Sequence, residues 1–319
     1  MSVTILSPGP LTTIQDQGRL LARTFGWSQS GAMVPWYALL ANQLVQNPLS
    51  TPVLEFAYKG PTLAFEEDAI VSVVWQEGSL RHNKQPCVSL QSIQIQAGDV
   101  LDVGVVTKGV YGYVAIQGLW LSDVLYGSSS SHTACGLASS IGRPFSKDEK
   151  VPVRSTNTHV RKVQLSSHWV TSQYGAPIRY VTEGSTEKLT SSLQKVFQST
   201  MYKISASTNR MGTRLEGDPL WRKAHALRTQ GVIEGSIQLP PNGQPIILGQ
   251  DAQVTGGYPL LGVVASVDRP RLAQIRIGQS CSFERISVTS VQEAYREQHQ
   301  RKQMAIQRLV GLQKGEISL

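Results

Sequence analysis

The feature that most constrains this chain is a series of short apolar, β-branched runs, interrupted roughly every ten residues by a turn signal. Residues 53–58 are one such run, closed by Lys59-Gly60-Pro61. Residues 62–65, 69–75, 88–95, 100–106 and 110–117 continue the series, with Ala97-Gly98-Asp99 as a turn. In the second half residues 178–181, 201–205 and 281–286 read the same way. Strands this short and this closely spaced predict an antiparallel sandwich or barrel, not a parallel sheet with crossover helices. The 28 glycines and 16 prolines suit such a turn-rich fold, and 40% hydrophobic residues are enough to build a core.

The period changes to that of a helix in three places. Over 35–46, Trp36, Leu39, Leu40, Leu44 and Val45 fall on one face, Pro35 suits a helix start and Asn47-Pro48 a stop. Leu189, Leu193, Val196 and Phe197 predict a second helix over 185–199. Residues 290–314 carry a basic third helix, with Val291, Tyr295, Gln298, Lys302, Ala305 and Leu309 down one side. That side is only partly apolar, so it reads as a solvated tail. A length of 319 residues accommodates two domains. Residues 151–172 are polar and loosely patterned and read as the connector. The expected domains are therefore 1–172 and 173–319, the second ending in the terminal helix.

The formal net charge is +8. No stripe of basic and aromatic residues accompanies it, so a solvated basic surface is expected and no nucleic-acid partner. Cys87, Cys135 and Cys281 are far apart and show no metal-ligand spacing, and the six histidines are scattered. No metal site is expected. A sparse, odd cysteine count suits a reducing compartment. The N-terminus lacks a leader pattern and no run is long enough to span a membrane, so the expected location is cytoplasmic.

The best candidate site lies between Gly231 and Gly278. Pro240-Pro241-Asn242-Gly243 is a tight turn between two strands. After the second strand, Asp251, Gln253 and Thr255 alternate with Ala252, Val254 and Gly256, so an extended segment would put those polar side chains on one face. Gly256-Gly257 lets backbone approach a ligand closely, and Tyr258 adds a ring with a hydroxyl. Asp16, Arg19, Arg210, Arg214, Gln238 and Gln274 complete the polar set. Arginine holds a carboxylate or phosphate in two-point fashion, and a carboxylate such as Asp251 can move a proton or orient an amide. An equal alternative is a scaffold in which Arg210 and Arg214 pair with Glu216 and Asp218. A serine triad at Ser131-His132 lacks the Gly-x-Ser-x-Gly elbow, and there is no P-loop.

Taken in order, several motifs make the chain resemble a known family. They are residues 13–19 (Thr-Ile-Gln-Asp-Gln-Gly-Arg), Ser30-Gly31-Ala32-Met33, residues 41–47, Leu54-Glu55, residues 209–215 (Asn-Arg-Met-Gly-Thr-Arg-Leu), residues 235–245, residues 251–259 and Leu272-Ala273-Gln274. The family is that of allophanate hydrolase subunit 2, the KipI antagonist KipA and the C subunit of 5-oxoprolinase. It is similar to half of the carboxyltransferase region of urea carboxylase. The resemblance implies two tandem cyclophilin-like β-barrel domains with a few helices, mainly β overall.

It also implies two partners, a KipI-like B subunit and the A subunit of the 5-oxoprolinase, and ATP with Mg in the assembled complex. The implied reaction is ATP-dependent hydrolysis of an amide or lactam, 5-oxo-L-proline to L-glutamate. The alternatives are a non-catalytic KipI-binding antagonist and a subunit of the carboxyltransferase or allophanate-hydrolase type. The resemblance supplies positions only. Chemistry assigns Asp251, Gln238 and Tyr258 to catalysis and lactam positioning. It assigns Asp16, Arg19, Arg210, Arg214, Gly256, Gly257 and Gln274 to binding substrate or phosphate. The chain departs from the family pattern mostly in its N-terminal half: Val34 stands for Asp, bulky residues 74–76 for Thr-Gly-Ala, Gly118-Leu119 and Ala138-Ser139 for Gly-Gly, and Ser129 for Arg.

Overall fold

The computed structural model describes residues 2–135, 141–154, 160, 162–170, 175–182, 191–220 and 228–314. The chain divides into two units: residues 1–19, 30–171 and 301–319 form the first, and residues 20–29 and 172–300 the second. Both are mainly β.

In the first unit a seven-stranded sheet runs in the order Leu119–Trp120, Glu149–Arg154, Ser2–Ser7, Thr62–Phe65, Val100–Lys108, Glu77–His82, Gln85–Pro86. A five-stranded sheet runs Thr12–Gln15, Val53–Ala57, Tyr111–Ile116, Ala69–Val74, Ser92–Ile95. Their pairings are antiparallel. Val3, Ile5, Leu63, Phe65, Leu101 and Val103 meet Leu54, Phe56, Val71, Val73 and Val114 in one core. Burying each such side chain contributes about 1.5–3 kcal/mol. Trp75 sits in this core, 1% exposed. Its ring meets Phe56 edge-on at 5.8 Å, and its Nε1 donates to Ser89 Oγ at 3.1 Å.

Helix α1, Pro35–Leu44, has its proline in the first turn and buries Tyr37, Leu40, Ala41 and Leu44. Ser72 Oγ donates to Ala41 O and fixes it to the five-stranded sheet. Residues 151–172 are not a simple connector. Glu149–Arg154 is a strand that pairs with Ser2–Ser7, Val151 opposite Val3. Its apolar content is only Val151, Pro152 and Val153, flanked by charges, too short a run to stand out in sequence.

The second unit holds an eight-stranded sheet. Its order is Ser280–Cys281, Tyr202–Ile204, Gly212–Glu216, Ile246–Leu248, Ser236–Gln238, Leu260–Val264, Ile178–Val181, Phe283–Arg285. The last pair is parallel, with Ile178 beside Phe283. Helix α2, Ser191–Ser199, brings Phe197 against Phe283 at 4.6 Å and Tyr180 at 5.3 Å. Residues 185–190 of the expected helix lie outside the described residues. The turn after Ser236–Gln238 forms as expected: Gly243, at φ +73°, donates its N–H to Pro240 O at 2.9 Å. Residues 209–215 are more than a charged turn, because Gly212–Glu216 is a strand that buries Thr213 and Leu215 and exposes Arg214 and Glu216.

Asp268, just before helix α3, Arg269–Ala273, ties that helix to Ile178–Val181. Its carboxylate accepts the Arg179 N–H, Nε and Nη2 at 2.8, 2.9 and 2.8 Å, and Arg271 Nη2 at 3.1 Å. Helix α4, Val288–Lys314, is not solvated along its whole length. Leu309 and Leu312 are buried, Gln43 Nε2 donates to Gln313 Oε1, and Gln313 Nε2 donates to Gln43 O. Its apolar face is confined to the last turns, where a helix-wide pattern averages it away. Among the described residues no helix is long and apolar enough to cross a membrane.

Two outcomes follow from this packing. Trp75→Ala should cost about 3–5 kcal/mol in urea unfolding of the first unit, because it leaves a core cavity. Burial works against the Asp268 charge, but its bonds to Arg179 and Arg271 outweigh burial and hold the carboxyl below the usual range. Its contribution is present above the ordinary aspartate pKa of about 3.9 and is lost as pH falls through the depressed value. Asp268→Asn should therefore shrink the loss of thermal stability between neutral pH and about pH 3.

Candidate functional site

In the first unit the polar cluster is built around Asp16, at the end of strand Thr12–Gln15. Its carboxylate accepts the Gly18 N–H at 2.8 Å, Ser128 Oγ–H at 2.6 Å, the Ser129 N–H at 2.7 Å and the Ser130 hydroxyl. Its own N–H donates to Ser130 Oγ. The serine loop is thus wrapped on one carboxylate, and Ser128 to Ser131 are all buried. Arg19 is 1% exposed and donates from Nη2 to Ser130 O.

The loop from Ser30 to Val34 lies alongside. Ser30 and Gly31 have φ of +55° and +97°, and a Cβ on Gly31 would lie 3.1 Å from Gly18 N. Only glycine fits there without displacement. Glu55 Oε2 accepts the Met33 N–H at 2.7 Å and the Tyr113 hydroxyl at 2.6 Å, while Val34 N–H donates to that hydroxyl at 2.8 Å. Glu55 thereby holds the Ser-Gly-Ala-Met loop. In the sequence it stands within a motif, but nothing local announces that role.

In the second unit Arg210 and Asp251 form a buried two-point ion pair, with Nε to Oδ2 at 2.8 Å and Nη2 to Oδ1 at 3.0 Å. Their side chains are 3% and 2% exposed. The backbone closes the same contact: Asp251 N–H donates to Arg210 O at 3.0 Å, and Gly249 N–H to Met211 O at 2.9 Å. Ser28 Oγ–H is placed to donate to Asp251 O and Ala252 O. Asp251 therefore lies in a turn, not on an extended face with Gln253 and Thr255. The strand is only Thr255–Gly256, because the bonds to residues 210 and 211 bend the chain first.

That short strand pairs with Gln230–Gly231, and Val232 N–H donates to Val254 O. Gln238 is 1% exposed beneath this ribbon. A Cβ on Gly256 would come within 2.3 Å of Gln238 Nε2 and 3.5 Å of Val232 Cγ1. Any side chain there would have to displace the Gln238 carboxamide. The register places Arg214, Ile246 and Gln238 in one line across three strands, on the face opposite Ile237 and Ile247. Arg214 is exposed and lines a groove of about 480 Å³ with Ser205, Ser207, Asn209 and Asn242. The scaffold alternative expects Glu216 or Asp218 as the partner of Arg210, whereas the partner in the fold is Asp251. Tyr258 is 41% exposed, and Gln274 is buried where helix α3 ends.

Three further charged residues are invisible to sequence reasoning. Glu234 Oε2 accepts Arg269 Nη1 at 2.6 Å, and Arg23 donates from Nη2 to Val232 O. Burial pushes the Glu234 carboxyl up, against the guanidiniums of Arg269, Arg23 and Arg210. These residues stand far apart in sequence, with no shared spacing to announce them.

The chain is thus built of two mainly β units, each with arginine and carboxylate side chains buried among the motif loops. The chain belongs to the family described as carboxyltransferase domain, subdomain A and B, which matches residues 25–285. It is 29% identical over 287 residues to the C subunit of 5-oxoprolinase from Haemophilus influenzae, covering 90% of this chain and 92% of that protein. It is 29% identical over 295 residues to the C subunit of 5-oxoprolinase from Escherichia coli, covering 92% of this chain and 94% of that one. The crystal structure of Kluyveromyces lactis urea carboxylase has the same fold, with a TM-score of 0.84 at 21% identity. The match covers 97% of this chain but 29% of that one, so this chain spans under a third of that neighbour.

Removing one partner of the buried pair, as in Asp251→Ala, should destabilise the second unit by about 3–5 kcal/mol in chemical unfolding. The double variant Arg210→Met with Asp251→Leu should recover most of that loss, because no unpaired charge then remains buried.

Proposed function

We propose that this chain is the C subunit of an ATP-dependent 5-oxoprolinase, acting with the A and B subunits to convert 5-oxo-L-proline to L-glutamate. The observation that carries this reading is the match to two relatives of that name over nine-tenths of both lengths. Each relative is named as one subunit, which supports a heteromeric assembly; in this reading its B subunit is KipI-like. ATP phosphorylates the lactam oxygen and leaves as ADP; water then adds to the activated carbon, phosphate departs, and the C–N bond opens to give glutamate. The developing charge needs donors and cations.

In this reading Arg214 faces the substrate, Gln238 lies in line with it across the sheet beneath the Gly256 ribbon, and Tyr258 offers a hydroxyl at the rim. Asp251 acts through Arg210: both its oxygens are engaged, so it holds the guanidinium and the loop in place. Asp16 does the same for the serine loop beside Arg19. Gly256 and Gly257 give the backbone its close approach, and Gln274, buried where helix α3 ends, is a further binding residue. Among the described residues no group of three or more His, Cys, Asp or Glu could hold a metal ion. ATP with Mg belongs in this reading to the assembled complex, and no step here runs through the metal. A cytoplasmic location accords with that substrate.

The test is 5-oxoproline-dependent ATP hydrolysis by the chain co-expressed with its own A and B partners. Glutamate release that requires all three proteins is expected. Arg214→Ala should lower kcat/KM by about ten- to a hundredfold with the complex intact, as expected for loss of a charged contact. An intact complex without turnover would contradict the reading and favour the non-catalytic KipI-binding antagonist.

A further inference from the structure

Two independent observations meet at Val232. The first is an unsatisfied donor. Gln238 Nε2 has no acceptor among the described residues, although the residue is 1% exposed. Leaving such a group unmade costs about 1–3 kcal/mol, so its retention calls for a role. It lies against Gly256, where an added Cβ would also stand 3.5 Å from Val232 Cγ1. The second is an excess of positive charge. Arg23 reaches the Val232 carbonyl, and Arg23, Arg210 and Arg269 all act on Glu234. Against these three guanidiniums stand two ion-paired carboxylates, Asp251 on Arg210 and Glu234 on Arg269.

We propose that Arg23 and Gln238 form a two-point site for a small molecule that carries a carboxylate and an amide carbonyl a few ångströms apart. The carboxylate pairs with the Arg23 guanidinium in a charge-assisted contact. The amide oxygen accepts from Gln238 Nε2, which becomes reachable when the Gly256–Gly257 backbone lifts from it. A two-strand ribbon of two residues each, with glycine over the amide, is the least costly part of the sheet to displace. A neutral amide lacks the charge for Arg23, and a simple carboxylate lacks the acceptor for Gln238. The site therefore selects acylated or cyclised amino acids. This deepens the 5-oxoprolinase reading by naming which groups recognise the substrate, but it does not depend on the lactam ring.

The experiment is an NMR titration of the full-length chain labelled with ¹⁵N-glutamine, following the Gln238 side-chain amide, assigned by its loss in Gln238→Leu. The probes are 5-oxo-L-proline, N-acetylglycine, 2-pyrrolidone and acetate. Saturable shifts with the first two are expected, about tenfold weaker or absent with the last two. Arg23→Gln should weaken binding about tenfold or more, Arg23→Lys less, with folding checked by circular dichroism. Binding of N-acetylglycine but not 5-oxoproline would keep this site and count against the 5-oxoprolinase reading. A Gln238 signal that ignores all four probes, a response to 2-pyrrolidone equal to that of 5-oxoproline, or unchanged affinity in Arg23→Gln would overturn the site. If Gln238→Leu does not fold, Gln238→Asn serves: it keeps the amide, should fold and should bind more weakly, and wild-type affinity would overturn the site.

Discussion

The second unit depends on one buried ion pair, Arg210 with Asp251. Taking both charges from water costs several kcal/mol, and the cost is offset only because the geometry is two-point and the backbone bonds run the same way. The pair fastens the turn at residues 249–252 to residues 210 and 211, and Ser28 closes on the same turn. The ribbon of Thr255–Gly256 and Gln230–Gly231 starts from there, which sets Gly256 over Gln238. Asp251, which sequence chemistry offers as a proton carrier, has both carboxylate oxygens engaged by Arg210 in the fold.

The first unit repeats this arrangement with different parts. Asp16 organises a serine loop through three donors and the Gly18 N–H beside it, and Glu55 with Tyr113 organises the Ser30–Val34 turn. In both, a carboxylate gathers backbone N–H groups and hydroxyls, which strengthens each bond in a low-dielectric setting. The departures from the family pattern read differently in this light. Ser129 stands where the family has arginine, yet its contribution to Asp16 comes from the backbone N–H, which any residue but proline supplies. Trp75 fills core volume against Phe56, whereas Leu119 is 51% exposed and fills no interior space.

The mainly β class, helix α1, the Asn242-Gly243 turn and the strands at 62–65 and 178–181 were legible because each carries its own local signal, a period or a turn residue. The strand Glu149–Arg154 and the buried end of α4 were not, because two or three apolar residues among charges give no period. The motif residues were legible as a set, but their division of labour was not. Asp251 and Arg214 both sit among conspicuous polar neighbours, and only the pairing with Arg210 shows which is buried and engaged. Arg23, Glu234 and Arg269 carried no signal, since tertiary packing alone brings them together.

The most direct test of the anchor is hydrogen exchange at the backbone amides of Gly249, Asp251 and Val232, compared between the native chain and Asp251→Asn. Loss of the ion pair should speed exchange at all three by about two orders of magnitude or more, with the barrel strands of the same unit less affected. Unchanged protection at Gly249 and Val232 would contradict the account, because the turn and ribbon would then hold without the pair.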